Sequence, residues 1–347
     1  MVDYKEIRKV NQSCLKKILT SPKSYQQAVE RMEQGDDGNT PDHFIFGTVV
    51  DIMLTGNRDD FEKRFVKIPD DTKCSETVRG IVEQVWAYVK EELKEDDIIF
   101  DLDAYKDFIA DACTLANYQP NWKADTKVVK IIEQGNDYFE LLKQMNGKTP
   151  VTESEYSNAV NCVMALKADK FTKPFVDAKH DKNSEFKNKF IVEFVIDDVE
   201  MKGELDRVVI NHDLKKIFPI DFKTTSQPIH GFEYEFWKYR YDFQAATYIA
   251  GLMQHPDIQK LTAEGYTIAP FIYIVVEKQL NNSPMIFAVD NSALNVGFMG
   301  GMVKGKDYEG LRQAVARYSY ATKNNAWEYP MEYYLNEGCI FIGNPIE

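Results

Sequence analysis

A chain of 347 residues with 44% hydrophobic residues is the size of one large α/β domain or two smaller ones. No segment is long and apolar enough to span a bilayer, and the first residues lack the apolar region of a secretion signal, so we expect a cytoplasmic protein with no membrane partner. The net charge of -13 argues against broad phosphate binding, although a metal-dependent site must concentrate carboxylates. Five scattered cysteines, none in CxxC spacing, argue against a disulfide framework and a cysteine zinc site.

The first half of the chain is predicted to be helical. A short helix begins after Ser13 and ends at Pro22. The apolar run from Phe44 to Leu54 indicates a buried helix whose only charge is Asp51. From residue 57 to residue 150 the chain is acidic, and its apolar residues recur at helical spacing. We therefore predict a helical insertion over 57–150.

The pattern changes to strands after Pro174. Alternating residues predict an antiparallel meander with polar turns at Asp197-Asp198 and at Asn211-His212-Asp213. A helix after the aromatic-rich segment FEYEFWKYRY and two more strands, in APFIYIVVE and PMIFAV, follow. Because no linker interrupts the chain, we expect one domain over 1–347, with its catalytic strands and the following helix over 185–255.

Two carboxylates and a lysine are predicted to meet on this sheet. Side chains alternate along a strand, so Asp221 and Lys223 project from one face. Pairing of the preceding strand brings Asp206 beside Asp221. Converging carboxylates suit a hard cation such as Mg²⁺, which activates water and neutralises charge on a phosphoryl group. The natural reaction for this group is phosphodiester hydrolysis.

These residues resemble a nuclease signature. Gly203-x-x-Asp206 followed by Ile220-Asp221-Phe222-Lys223 resembles the motif of the PD-(D/E)xK nuclease superfamily. Gln244-x-x-x-Tyr248 is similar to the QxxxY motif of its RecB-like branch, and residues four apart share one helical face.

The amino-terminal segment extends the resemblance. Its residues Ser13-x-Leu15-Lys16-x-Ile18-Leu19-x-Ser21-Pro22-x-x-Tyr25, and then Phe46-Gly47-Thr48, are similar to the opening of RecE-like (exonuclease VIII-like) proteins. Those relatives place a histidine metal ligand four residues after the glycine, where this chain has Asp51. A charge in an apolar helix requires a partner, and a metal would supply one.

The resemblance implies a fold and a site. The fold is a restriction-endonuclease-like α/β core, with a central mixed sheet flanked by helices and the helical insertion. The resemblance assigns catalytic roles to Asp206, Asp221, Lys223, Gln244 and Tyr248. The metal ligands implied are Asp51, Asp206, Asp221, the Phe222 carbonyl and an upstream acid, for which Glu193 is preferred and Glu185 remains open. Lys223 orients or activates the attacking water.

The resemblance also implies an activity, the ATP-independent digestion of linear double-stranded DNA from 5′ to 3′ with Mg²⁺ or Mn²⁺. The enzyme would act as a ring-shaped homo-oligomer. Its product, a single-stranded 3′ tail, would pass to a single-strand annealing recombinase in phage-type recombination. Two alternatives stay open. One is an endonuclease or a CRISPR-adaptation-like nuclease of the same superfamily. The other is a non-catalytic DNA-binding protein on this fold.

Three residues are candidates for DNA binding: Lys238, Arg240 and Thr224. The rings around Lys238 either stack on bases or pack in the core. Gly300-x-x-x-x-Gly305-Lys306 imitates a P-loop, but Asp307 replaces the required Ser or Thr, so no ATP is expected. Some RecB-like nucleases hold an iron-sulfur cluster with one upstream cysteine and three cysteines near the C-terminus. Only Cys339 follows the Gln244 helix in this chain, so no iron-sulfur cluster is expected.

Overall fold

The computed structural model describes residues 4–33, 42–56, 58–70, 74–94, 98–99, 101–145, 148–279 and 284–342. The chain forms two compact units: Met1–Gly38 with Cys162–Glu347, and Asn39–Asn161. The second unit contains the whole predicted insertion, 57–150, and extends it at both ends. Within the described ranges, no helix has both the length and the apolar character needed to cross a membrane.

The regular elements are numbered here in chain order. The helices are α1 (Gln12–Leu15), α2 (Pro22–Glu33), α3 (Asp42–Thr55), α4 (Arg58–Arg64), α5 (Glu76–Glu92), α6 (Lys106–Leu115), α7 (Ala124–Met145), α8 (Glu153–Ala168), α9 (Lys173–Val176), α10 (Phe232–Lys238), α11 (Tyr241–Gln254), α12 (Pro256–Ala263), α13 (Asn291–Met299), α14 (Leu311–Asn324) and α15 (Met331–Leu335). The strands are β1 (Val10–Asn11), β2 (Phe65–Ile68), β3 (Thr149–Thr152), β4 (Ser184–Ile196), β5 (Val199–Asn211), β6 (Lys216–Thr225), β7 (Thr267–Ile268), β8 (Ile272–Glu277), β9 (Met285–Ala288), β10 (Gly301–Val303) and β11 (Lys306–Tyr308).

A seven-stranded mixed sheet forms the centre of the first unit, with strand order β1-β5-β6-β8-β9, β4 also paired with β5, and β7 with β6. Pairing is antiparallel from β4 through β5 to β6 and parallel from β6 to β8. The predicted meander and the two later strands are confirmed. The short parallel strand β1 is an addition that the sequence analysis did not predict.

The long β4–β5 hairpin forms because its turn suits a right-handed twist. Asp197 and Asp198, with φ values of 45° and 69°, connect the terminal pair Ile196 and Val199. Two consecutive left-handed residues are what a tight two-residue hairpin requires, and aspartate tolerates that conformation. Alternation along β4 then buries its even-numbered residues near the turn.

Helices cover both faces of the sheet. On one face α11 lies against β4, where a Cβ at Gly251 would be only 2.6 Å from Val192 Cγ2. On the other face Phe175 of α9 packs edge-on against Phe218 of β6 at 5.2 Å between ring centroids. This mixed sheet with helices on both faces confirms the predicted restriction-endonuclease-like α/β class.

The second unit has its own core. Helices α5, α6 and α7 bury one apolar cluster, including the fully buried Val82, Ile109 and Phe139. The helical character predicted for 57–150 is therefore confirmed. The parallel pair of β2 with β3 was not predicted.

Candidate active site

The candidate site lies where two strands of the sheet separate. The paired register of β5 with β6 ends at Arg207 opposite Ile220, and β6 continues beside β8 as far as Thr225. The next residue on each strand beyond that pair is an aspartate, Asp206 on β5 and Asp221 on β6. Asp206 Oδ2 accepts a hydrogen bond from the Phe222 backbone N–H at 3.0 Å. The Asp206 carboxylate thereby bridges the diverging strands.

Asp221 is the buried centre of the site, with 3% of its surface exposed. Its Oδ2 lies 2.5 Å from the Lys223 ammonium, so strand alternation brings the two motif residues together on one face. Its Oδ1 accepts a hydrogen bond from Gln244 Nε2 at 3.0 Å. Because a buried carboxylate is costly without partners, these contacts determine whether Asp221 can stay ionised.

Gln244 lies on helix α11, and the hydroxyl of Tyr273 on strand β8 contacts its side chain. The Tyr273 hydroxyl lies 2.8 Å from the Tyr241 carbonyl and 3.3 Å from Gln244 Oε1. Tyr273 is also the β8 neighbour of Asp221 in register. Tyr273 was not predicted from the sequence. The available signal was a hydroxyl-bearing residue between aliphatic neighbours in a strand, which needs a hydrogen-bond partner when buried.

Tyr248 packs its ring against Gly203 of β5. A Cβ at Gly203 would lie 3.0 Å from two ring carbons of Tyr248. Burial first, and then the charge of Asp221, raises the pKa of the Tyr248 phenol well above its ordinary value. Tyr248 is therefore a neutral hydrogen-bonding group at neutral pH. The glycine of the Gly203-x-x-Asp206 motif thus has a steric reason.

Two ammonium groups contact the carboxylates, and a third lysine, Lys16, lies near Lys223. Lys189 Nζ lies 2.9 Å from Asp206 Oδ1, a contact that was not predicted. Burial on its own would lower the pKa of Lys223, but the Asp221 charge raises it above its usual value, so this side chain is an ammonium at neutral pH. Lys16 donates to the Tyr239 carbonyl at 2.9 Å. Burial, and then neighbouring cations including Lys17, lower the pKa of Lys16 to about 8.

The predicted upstream acids lie elsewhere. Glu193 is 47% exposed and pairs with Lys9 at 2.9 Å, while Glu185 pairs with Lys187 at 3.3 Å. In the parts of the chain that the structure describes, no three His, Cys, Asp or Glu side chains form a group placed to hold a metal. Glu193 therefore does not join Asp206 and Asp221, because the regular alternation of β4 turns it to the exposed face.

Asp51 belongs to the second unit. It lies on α3, and its Oδ1 accepts a hydrogen bond from Thr55 Oγ1 at 3.2 Å. Its place in a metal shell remains a prediction.

The three predicted DNA-binding residues differ in their surroundings. Lys238 is exposed, with its ammonium 5.1 Å from the Tyr239 ring centre. Arg240 instead makes two 3.0 Å contacts to Asp242 and adopts a left-handed φ of 59° at the start of α11, which indicates a structural task. Thr224 lies on the opposite face of β6 from Lys223 by strand alternation, so the structure does not bring it to that surface.

The rings of the aromatic segment differ in their exposure. Phe232 and Phe236 are buried in the core, whereas Tyr234 and Tyr239 are 72% and 40% exposed. The exposed rings flank Lys238 in sequence. Tyr234 and Tyr239 are therefore the candidates in this segment for stacking on nucleobases, and that stacking stays a prediction.

The donor chemistry of the site fits a hard divalent cation. Asp206 and Asp221 are oxygen donors on neighbouring strands, and Phe222 adds a carbonyl between Asp221 and Lys223. No sulfur or imidazole ligand is needed. An oxygen-only set of this kind favours Mg²⁺ or Mn²⁺ over zinc.

One comparison with known proteins, the family match, agrees with the motif. Residues 11–309 match the family described as "PDDEXK-like domain of unknown function (DUF3799)". No curated protein matches the chain. A crystal structure from Eubacterium rectale, provisionally named an exonuclease, shares 13% identity at a TM-score of 0.33 and covers 84% of this chain and 93% of its own. At that TM-score the likeness supports no argument. By the family match, the chain belongs to the PDDEXK-like domains, the superfamily to which its motifs pointed.

Proposed function

We propose that this protein is a divalent-metal-dependent deoxyribonuclease that digests linear duplex DNA from an end, 5′ to 3′ and without ATP. The observation that supports the chemistry is the convergence of Asp206, Asp221 and Lys223 at one point of the sheet, with Gln244 bound to Asp221. Two carboxylates can hold a divalent cation, which generates the hydroxide nucleophile and offsets phosphoryl charge in phosphodiester hydrolysis.

Asp206, Asp221 and the Phe222 carbonyl would hold the metal, and the further ligand that the RecE-like resemblance implies, Asp51, stays a prediction. When bound, a divalent cation acidifies water and offsets charge on the phosphoryl oxygens. The Phe222 N–H and the Gln244 amide each fix one carboxylate before substrate arrives. Such preorganisation lowers the cost of reaching the transition state.

Lys223 serves as a fixed positive charge. Its ammonium lies beside Asp221 Oδ2, and the charge of that carboxylate raises the pKa of the lysine above its ordinary value. The ammonium donates to the attacking water or to a phosphate oxygen and stabilises developing negative charge. The neutral, buried Tyr248 packs against strand β5 and supports it rather than removing a proton.

The wider assignment follows from the RecE-like resemblance. It includes a ring-shaped homo-oligomer, a single-strand annealing recombinase as partner, and a part in phage-type recombination. A ring also accommodates the charge of -13, because cations such as Lys238 can line a channel while the exterior stays acidic. Lys238 and the tyrosines beside it are the proposed contacts to DNA.

The test compares one sequence as a blunt linear duplex and as a closed circle, with Mg²⁺ and without ATP. Loss of the linear form alone supports the exonuclease, and a label on either the 5′ or the 3′ end reports its direction. Cutting of the circle would establish an endonuclease instead. No cleavage of either form, with Mg²⁺ or Mn²⁺, leaves a non-catalytic DNA-binding protein.

A further inference from the structure

Lys189 occupies an unusual position in the sheet. It lies on β4 opposite Asp206, between the pairs Asn188 with Arg207 and Phe190 with Leu205. Its φ is 49°, the left-handed region that side chains with a Cβ rarely adopt. The same strand contains Asp197, whose left-handed conformation the hairpin turn requires. No chain reversal requires it at Lys189, which lies in the middle of the strand.

In this backbone conformation the side chain of Lys189 contacts a carboxylate of the candidate site. Its ammonium lies 2.9 Å from Asp206 Oδ1, while Asp206 Oδ2 accepts from the Phe222 N–H. Persistent left-handed residues concentrate where function fixes a side chain. Here the fixed contact is to a proposed metal ligand, so the strand conformation and the site are connected by one residue.

The two carboxylates are held in the same way. Each has one oxygen bound by a neutral N–H, from Phe222 for Asp206 and from Gln244 for Asp221. Each has its other oxygen beside an ammonium, from Lys189 and from Lys223 respectively. Among the described contacts, each carboxylate therefore has one neutral donor and one lysine, and Lys189 is the lysine that the motif does not contain.

We propose that Lys189 is a positioning residue that neutralises Asp206 before metal binding, and that its ammonium turns to a phosphate of the substrate when that carboxylate is given over to a divalent cation. The inference rests on the proposed nuclease function. Lys189 is suited to this exchange because 35% of its side chain is exposed and lysine is a compact charge on a flexible stem. Its contact with Asp206 is not locked in the core.

The test measures metal and DNA binding separately for the wild type, Lys189→Met, Lys189→Arg and Lys187→Met. Lys187 is the matched control because it lies on the same strand and pairs with Glu185, outside the site. Mn²⁺ affinity is measured by calorimetry without DNA. Removing a competing cation from Asp206 is expected to tighten Mn²⁺ binding about fivefold in Lys189→Met. Lys189→Arg and Lys187→Met should match the wild type.

Affinity for a labelled linear duplex is measured by fluorescence anisotropy with Ca²⁺ in place of Mg²⁺. Lys189→Met should bind DNA about threefold to tenfold more weakly, as expected for one lost phosphate contact. Metal affinity rising while DNA affinity falls is a pattern that a purely structural lysine would not give. Thermal unfolding of each variant identifies any loss of fold.

The inference is overturned if Lys189→Met binds Mn²⁺ no more tightly than the wild type, or if its DNA affinity is unchanged. Failure of the proposed function is distinguishable, because it would appear in the wild type itself, as a protein that neither cleaves nor binds DNA. Conversely, an active wild type with unchanged Mn²⁺ affinity in Lys189→Met rejects the role of Lys189 alone.

Discussion

The side-chain amide of Gln244 donates a hydrogen bond to Oδ1 of Asp221 at 3.0 Å, and this contact joins helix α11 to the strand that carries the motif. Asp221 Oδ1 is therefore oriented by a neutral donor, which leaves the charge of the carboxylate available to a cation. In metal sites, groups that orient a ligand in this way affect affinity and activity strongly.

Replacing Gln244 by Leu should lower the cleavage rate by about 10- to 100-fold, because Asp221 loses its neutral donor and is held only from the Lys223 side. Steady-state cleavage of linear duplex DNA measures this. Gln254→Leu is the matched control, since Gln254 also ends α11 with an amide contact, at 3.0 Å to the Val195 carbonyl, but outside the site. Equal losses in both variants would show that the helix, and not the Asp221 contact, is responsible.

Tyr273→Phe removes a buried hydroxyl without changing shape. The hydroxyl lies 2.8 Å from the Tyr241 carbonyl and 3.3 Å from Gln244 Oε1, so its loss should cost about 0.5–1.5 kcal/mol of unfolding free energy. Because Tyr273 acts through Gln244, its effect on cleavage should largely vanish in the Gln244→Leu background. A double-mutant cycle of cleavage rates measures this coupling, and fully additive losses would contradict it.

Gly203→Ala should destabilise the protein by about 1–3 kcal/mol, because the new methyl group overpacks a filled interior. The added Cβ would lie 3.0 Å from Tyr248 ring carbons and 3.3 Å from Val192 Cγ2. Urea unfolding gives the free energy. Gly231→Ala is the control, since a Cβ there meets nothing within 4 Å. If Gly203→Ala unfolds at the wild-type midpoint, the close packing of Tyr248 on β5 is refuted.

Lys16 should give the protein a pH-dependent stability. Its pKa falls from 10.5 in the unfolded chain to about 8 in the native state, mainly through burial. Below pH 8 both states are protonated and the cost of burying the ammonium is fully present. Between pH 8 and 10.5 only the unfolded state keeps the proton, so stability rises with pH and the gain is complete above 10.5.

Lys16→Met abolishes that contribution. As the pH rises from 8 to 10.5, the unfolding free energy of the wild type should therefore increase relative to that of the variant. Urea titrations at closely spaced pH values measure the difference. Parallel stability curves for the two proteins across this range would show that the surroundings of Lys16 do not lower its pKa.

The local parts of the site could be predicted from the sequence. Strand alternation places Asp221 with Lys223, and the turn signal at Asp197-Asp198 sets the pairing of β4 with β5. Spacing of four residues puts Gln244 and Tyr248 on one side of α11. These inferences rely on short-range geometry, which a sequence encodes directly.

The remaining features depend on register and on distant neighbours. Glu193 has the apolar flanks of an inward residue, yet it faces outward and pairs with Lys9, a residue almost two hundred positions earlier in the chain. The left-handed Lys189 has no local signal, because lysine rarely adopts that conformation. Tyr273 acquires its role only when β8 aligns beside β6.

Substitution of the two aspartates tests the central claim most directly. Asp206→Asn and Asp221→Asn keep the shape of each side chain and remove its charge, and Asp213→Asn, at an exposed turn and bound to Asn183, is the control. Digestion of an end-labelled linear duplex with Mg²⁺ should fall at least about a hundredfold in both site variants and stay at the wild-type rate in the control. Wild-type digestion by either site variant would contradict the assignment of these carboxylates as the metal-binding centre.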